Sequence, residues 1–484
     1  MQLRSALFCV IVFVLVLVTL QLYYLLVDEE NTINFSDHPY DQRYGSDNMN
    51  QDYSLAREHD EKDGFESDIT EDDEPVHFNY GRDQSHEDSQ PMEKDIPILL
   101  WWTPFSLSNE IRKCSMGECY TTVHRTMKND RRTQVFLFYG TDFNVNDIPL
   151  PRKANHEWAL FHEESPKNNA ILFHEDTIVL FNHTATFRRH SDFPLVTQSL
   201  DSIDILEQKP WYSLDDKKSD KNMASVVYVQ SSCNAPSDRD TYVQELMKYL
   251  KVDSLGQCLN NKELPQEYKD TLTFSNKGFY KIVGKYKFTL AFENAICDDY
   301  ITEKLWRPLE TGSVPIYRGS PSVLDWMPNN HSVILVDDFS SPQELAEYIK
   351  KLDNDDAAYM KYLDFKQKGG VTNTRLLKHM KERKWNMVSG ESDFLAAFEC
   401  LVCDRLHENL KRQKSGLPMA RHVADQNHFG CPRPVQFKYP LVKGVEQPER
   451  DIWKREFDDY RSVAKALNKA VREGEKQFKS DLYH

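Results

Sequence analysis

Positive charge is scarce in this 484-residue sequence: Lys and Arg number 60 against 76 Asp and Glu, a formal net charge of -16. That surplus of acid repels nucleic acid and anionic surfaces, so no nucleic-acid partner is expected. The sequence has no G-x-x-x-x-G-K-[ST] loop and no clean G-x-G-x-x-G. Neither an ATPase nor a dinucleotide dehydrogenase is signalled. Internal repeats and low-complexity tracts are missing beyond residue 95. A single core is also excluded by length, because domains cluster at roughly 100–200 residues; two lobes with appendages are expected.

A long apolar run occurs near the amino terminus, from Ala6 to Val27. It matches the roughly 20 helical residues that cross a bilayer and exceeds the apolar region of a cleaved signal peptide. Arg4 before it and Asp28, Glu29 and Glu30 after it predict a cytosolic tail over 1–5, one transmembrane signal-anchor over 6–27 and a luminal remainder. Residues 28–95 are acidic and poor in apolar side chains, the composition of a solvated stem. Asn34, Asn182 and Asn330 begin Asn-x-Ser/Thr sequons and are candidate glycosylation sites. Apart from Cys9 in the apolar run, eight cysteines remain, and an even number in an oxidising lumen predicts disulfides of unassigned pairing. Zinc held by Cys114, Cys119, Cys400 and Cys403 is the alternative, but no His ligand pattern accompanies them.

Continuous apolar runs at Ile96–Trp102, Val135–Tyr139, Trp158–Phe161 and Ile178–Phe181 predict buried parallel strands and a first α/β lobe over 96–220. After a polar stretch a new run starts at Val226–Val229. Strand-like Phe288–Ala291, Val314–Tyr317 and Val333–Val336 then alternate with helical patterns at Asp240–Leu250 and Pro342–Leu352, predicting a second, doubly wound lobe over 221–400. Residues 401–484 are read as a cysteine-containing extension packed onto the lobes.

Tyr286-Lys-Phe-Thr-Leu-Ala-Phe-Glu-Asn294 leads into Asp299-Tyr-Ile-Thr-Glu-Lys304, an apolar strand, a polar turn and a helix start. Thr302 or Asp299 would cap that helix. A lysine in a first helical turn opposes the helix dipole, so Lys304 suits a place beside an anion. These residues resemble the signature of the α-1,3-fucosyltransferase family, glycosyltransferase family 10. The resemblance runs from about Ile96 to Cys403 and includes Val314-Pro-Ile-Tyr-Arg-Gly-Ser-Pro321 and Phe398-Glu-Cys-Leu-Val-Cys403.

The family likeness implies an α/β GT-B fold, two Rossmann-like lobes with a cleft between them, and inverting transfer from GDP-fucose without a metal or other cofactor. The residues that match its donor site are Val229, Ser231, Arg239, Asn294, Tyr300, Glu303 and Lys304. Phe187 matches an aromatic near the donor, and Arg188 and Arg189 beside it would reach the phosphates. Ser232 and Thr289 depart from the family pattern. The likeness maps the catalytic base onto Glu164 in His162-Glu-Glu-Ser-Pro166. On composition alone, Glu163-Glu164 would read as a solvated turn and Arg239 as a surface arginine paired to Asp238 or Asp240. Asp298-Asp299 and Asp337-Asp338 have the form of a carboxylate pair that holds a divalent metal under a sugar nucleotide, but no metal is assigned, and Asp337-Asp338 is read as a strand-end turn.

Loops such as Phe138-Tyr-Gly-Thr-Asp-Phe143 and Asp325-Trp-Met-Pro-Asn-Asn-His-Ser332 are similar to a divergent animal branch, the GDP-fucose protein O-fucosyltransferases. That likeness implies transfer to Ser or Thr of EMI domains in the endoplasmic reticulum. A Golgi enzyme acting on GlcNAc of glycans, and a non-catalytic luminal binder, are the alternatives.

Overall fold

The computed structural model describes residues 95–105, 109–269, 276–385, 387–388, 391–392, 394–437 and 452–482. The expected tail, apolar span, stem up to residue 94 and Asn34 lie outside the described residues. No described helix is long and apolar enough to cross a membrane.

Strands β1 (Ile98–Thr103), β2 (Glu110–Lys113), β3 (Glu118–Thr122), β4 (Thr133–Tyr139), β5 (Glu157–His162), β6 (His183–Thr186) and β7 (Phe193–Pro194) form one sheet in the order β2-β3-β1-β4-β5-β6-β7. Apart from the antiparallel β2–β3 pair, neighbours run parallel. Every residue of β1 is buried, which is why this strand reads as an unbroken apolar run rather than an alternating one.

The run Ile178–Phe181 differs from expectation. It is the end of a short helix, α1 (Glu175–Ile178), and the turn that follows, with Val179 N–H donating to Glu175 O and Phe181 N–H to Ile178 O. The strand comes next, at His183-Thr-Ala-Thr186, fully buried without a large aliphatic side chain.

The second sheet contains β8 (Val226–Tyr228), β9 (Val252–Ser254), β10 (Phe288–Phe292), β11 (Val314–Arg318) and β12 (Ile334–Leu335), all parallel, in the order β12-β11-β10-β8-β9. Numbered within the sheet this is 2-1-3-4-5, whose strand order reverses between β8 and β10. Helix α2 (Arg239–Leu246) follows β8, α3 (Glu303–Thr311) follows β10, and α4 (Pro342–Asp353) follows β12. Thr302, not Asp299, is the N-cap of α3, and the helix stops at Gly312 with φ of 80°. A Cβ at Gly312 would lie 2.6 Å from Pro210 Cβ, so the left-handed turn and the close approach both require glycine there.

Two carboxy-terminal helices return to the first sheet. Helix α5 (Phe394–Lys414) carries Cys400 and Cys403, which pair with Cys114 and Cys119 of the β2–β3 region. The expected lobe boundary between 400 and 401 therefore falls inside one helix, and that helix is stapled to the first sheet. Helix α6 (Ile452–Arg472) buries Phe457, Val463, Ala464, Leu467 and Val471 in the core of that same sheet. The remaining bonds are Cys233–Cys258 and Cys297–Cys431. All eight cysteines outside the apolar run are thus paired as disulfides, which replaces the zinc alternative.

Candidate active site

The expected residues collect at the carboxyl ends of strands, where parallel sheets bind ligands. Glu163 and Glu164 follow β5, Phe187, Arg188 and Arg189 follow β6, Val229 and Ser231 follow β8, and Glu293 and Asn294 follow β10. The last two groups flank the reversal point of the second sheet. Cys233–Cys258 ties the loop after β8 to the segment after β9.

The neighbouring glutamates part company. Glu163 Oε1 accepts a hydrogen bond from Tyr139 within its own lobe at 3.2 Å. Glu164 Oε2 instead accepts from the hydroxyl of Tyr300, a residue of the second lobe, at 3.4 Å. His162 behind them is fully buried, and burial pushes its pKa down to about 3, so the ring is neutral. Also spanning the lobes is Lys167, whose ammonium donates to Ser232. Thr289, the other departure from the family pattern, bonds Ser313 inside the sheet at 2.7 Å and takes no part in this meeting of loops.

On the second lobe, Lys304 Nζ lies 3.1 Å from Glu303 Oε1. Burial alone would lower the Lys304 pKa, but Glu303, Glu293 and Glu164 outweigh burial and the repulsion of Arg239, so it stays raised and the ammonium charged. Glu303 is driven the other way: against the effect of burial, Lys304 and Arg307 hold it down at about 2. The same four partners place the proposed base, the lysine and the arginine within one electrostatic neighbourhood.

Arg239 is only 1% exposed and does not pair with its flanking aspartates. Asp238 receives Phe437 N–H and the Thr241 hydroxyl, while Asp240 receives the Tyr228 hydroxyl. The guanidinium donates to Phe292 O at 3.2 Å and Ser232 O at 2.7 Å, bracing the ends of β10 and the β8 loop. Its Nε, and Asn294 Oδ1 nearby on the same loop system, have no hydrogen-bond partner among the described residues. Buried polar atoms are rarely left so, and a polar ligand seated there would satisfy them.

Arg188 and Arg189 were expected at the donor phosphates, and the structure gives them carboxylate partners instead. Arg188 pairs with Asp298 at 3.1 Å. Arg189 contacts Asp299 at 2.5 Å and Asp325 at 2.7 Å. Asp299 is 1% exposed, and although burial opposes it, the hydrogen bonds from Arg189 hold its pKa down at about 2. These arginines therefore fasten the first lobe to the second. Phe187, 2% exposed, packs edge-on against Tyr300 with ring centroids 5.1 Å apart.

Of the described sequons, Asn330 is exposed in a turn. Asn182 is half-buried: its amide nitrogen donates to His422 O at 2.8 Å, and its oxygen accepts from Trp158 N–H and Arg152.

Sequence reasoning passed over Glu293, although it stands inside the quoted motif. It is fully buried and accepts from both the amide and the hydroxyl of Thr302. A carboxylate at the end of an apolar strand was the available signal.

A carboxylate at the strand ends of one α/β sheet, near cations of another, is suited to general-base and charge-stabilising chemistry. Residues 93–197 match the family model described as "Fucosyltransferase, N-terminal", and residues 218–422 match "Glycosyltransferase family 10 (fucosyltransferase) C-term". The chain belongs to glycosyltransferase family 10 and is a fucosyltransferase. It is 50% identical over 376 residues to "GDP-fucose protein O-fucosyltransferase 3" of Homo sapiens, covering 77% of this chain and 78% of that one. The protein of the same name from Gallus gallus is 49% identical over 387 residues, covering 79% and 82%. Among solved structures, "Crystal Structure of alpha1,3-Fucosyltransferase with GDP-fucose" overlaps 67% of this chain and 94% of that one at 17% identity and a TM-score of 0.36.

Proposed function

We propose that this fucosyltransferase works on protein: it moves fucose from GDP-β-L-fucose, with inversion, to a Ser or Thr hydroxyl of a small disulfide-bonded EMI domain. The approach of Glu164 to Tyr300 and Lys304 from the opposite lobe carries the reading, supported by relatives near 50% identity that are named for protein O-fucosylation. The acceptor oxygen attacks the anomeric carbon while Glu164 takes its proton. The bond from that carbon to the diphosphate breaks, and the leaving GDP keeps the electron pair. Lys304 and Arg239 stabilise the charge that gathers there, the role a metal plays in other transferases, so no metal is assigned. Glu303 and Asn294 serve as hydrogen-bonding partners for the donor, with Val229 and Ser231 lining its approach. The catalytic region is luminal, on a single-pass membrane protein of the endoplasmic reticulum or Golgi.

The test is to incubate the purified protein with GDP-fucose and either an EMI domain or an N-glycan acceptor. A fucose mass increment on a Ser- or Thr-containing peptide supports the reading. Transfer to glycan alone overturns the acceptor, and no turnover with either overturns the enzyme. Glu164→Gln should lower turnover at least about 100-fold while GDP-fucose affinity stays near normal, because a general base acts in the transition state.

A further inference from the structure

The family models end at residue 422, yet the chain continues as a strap that crosses both lobes. On the first lobe, Ala424 N–H donates to Phe181 O, and the Thr186 hydroxyl to His428 O at 2.6 Å. On the second, Cys431 is bonded to Cys297, and Phe437 N–H donates to Asp238 at 2.7 Å. The Arg318 guanidinium lies 4.1 Å from the centroid of the Phe437 ring.

Phe429 sits where the strap passes from one lobe to the other and is fully buried. Its ring centroid is 4.2 Å from Phe173, 5.3 Å from His162 and 5.3 Å from Phe187. His162 immediately precedes Glu163 and Glu164. Its backbone is held in β5, but its ring nitrogens have no hydrogen-bond partner among the described residues, so packing sets the orientation of the ring. Phe187 in turn supports Tyr300, which donates to Glu164. One side chain therefore stands behind both the loop that carries the base and the tyrosine that meets it.

We propose that Phe429 is a positioning residue for fucosyl transfer, its ring fixing His162 behind Glu164 and Phe187 behind Tyr300 so that base and donor loop keep their spacing. The proposal rests on the assignment of Glu164 as base. Its backbone is held two residues on by Cys297–Cys431, which makes that disulfide part of the same device. Because turnover depends on near-attack geometry, a misplacement of about 1 Å costs on the order of 100-fold. A side chain that merely filled the core would change stability and leave the balance between turnover and affinity alone.

The experiment compares Phe429→Ala, Phe429→Leu and the double variant Cys297→Ser/Cys431→Ser with the wild-type protein, measuring kcat with an EMI-domain acceptor, GDP affinity by calorimetry and thermal melting. Phe429→Ala should lose kcat by about 10- to 100-fold with GDP affinity within about threefold of wild type. Phe429→Leu, which keeps the apolar bulk, should fall between them, and the serine pair should also lose kcat ahead of affinity. Should Phe429→Ala fail to fold, the other two answer the same question. Wild-type kcat in the folded variants, or parallel loss of kcat and GDP affinity in all of them, would overturn the proposal. Glu164→Gln is run alongside: full turnover there overturns the base assignment and this proposal together, whereas an inactive Glu164→Gln beside a fully active Phe429→Ala overturns this proposal alone.

Discussion

Glu293 grips Thr302 twice, Oε1 accepting its amide at 2.8 Å and Oε2 its hydroxyl at 2.7 Å. The carboxylate thus holds the start of α3 from below, and Lys304 is one residue beyond Glu303 on that helix. Burial, the largest influence, pushes the Glu293 pKa up from 4.5 to about 6. A carboxyl raised on folding contributes most below its unfolded pKa, and that contribution is lost as pH rises through the folded value. At neutral pH the loss is about 2 kcal/mol. Glu293→Gln has no such drift, so its melting temperature relative to wild type should improve between pH 4.5 and pH 7. A constant offset in paired thermal melts would show that Glu293 does not titrate there.

Arg189→Ala should be among the most damaging surface-to-core changes between the lobes. It removes the cation from Asp299, 1% exposed, and leaves that carboxylate neutral donors such as Ser322 and Trp326; breaking one side of a buried pair costs about 3–5 kcal/mol. The Asp299 pKa is depressed from 3.8 to about 2, so its contribution is present above 3.8 and fades as pH falls toward 2. The deficit of Arg189→Ala should accordingly be largest near pH 7 and shrink below pH 4, as read by chemical denaturation at both.

Gly140→Ala tests the seat of His162. A Cβ on Gly140 would lie 2.3 Å from His162 Cγ, with the ring hemmed in by Phe429 and Phe173 on its other sides. Overpacking of this kind costs about 1–3 kcal/mol, and the displaced ring pushes on the Glu163–Glu164 loop. We expect a drop in kcat larger than the change in GDP affinity, measured by initial rates and calorimetry. Normal kcat with lowered stability would confine the effect to packing.

Lys304→Ala should weaken GDP binding by roughly 10- to 100-fold, the worth of one charge-assisted hydrogen bond. Arg239→Ala should weaken it and destabilise the fold as well, because Phe292 O and Ser232 O lose their donor. Calorimetry with GDP and thermal melting separate the two. A Lys304→Ala protein that binds GDP normally would remove the lysine from the diphosphate site.

Buried parallel strands were legible because both faces are covered, so β1, β4 and β5 contain unbroken apolar runs, and β10 and β11 are mostly apolar. The same rule misled at Ile178–Phe181, since a helix end sunk in the core has an identical composition, and it was blind to His183–Thr186, whose buried side chains are polar or small. The donor-side motif lay within one contiguous stretch and could be read there. Partnerships across distance could not: Arg189 meets acids at Asp299 and Asp325, and Phe429 is a single aromatic in a polar segment until folding sets it against His162. Disulfide pairing failed to appear for the same reason, because eight cysteines carry no record of which will meet.

Cys114 and Cys119 find their partners 286 and 284 residues later in the chain. At a synthesis rate of about 5–20 residues per second, their thiols wait roughly 15 to 60 s for Cys400 and Cys403 to emerge. Throughout that interval each is nearest to the other, and Cys233 and Cys258 arrive before the right partner does. The edge of the first sheet therefore reaches its final covalent form only after Cys403 has left the ribosome, so both thiols must either stay reduced until then or be freed again by exchange.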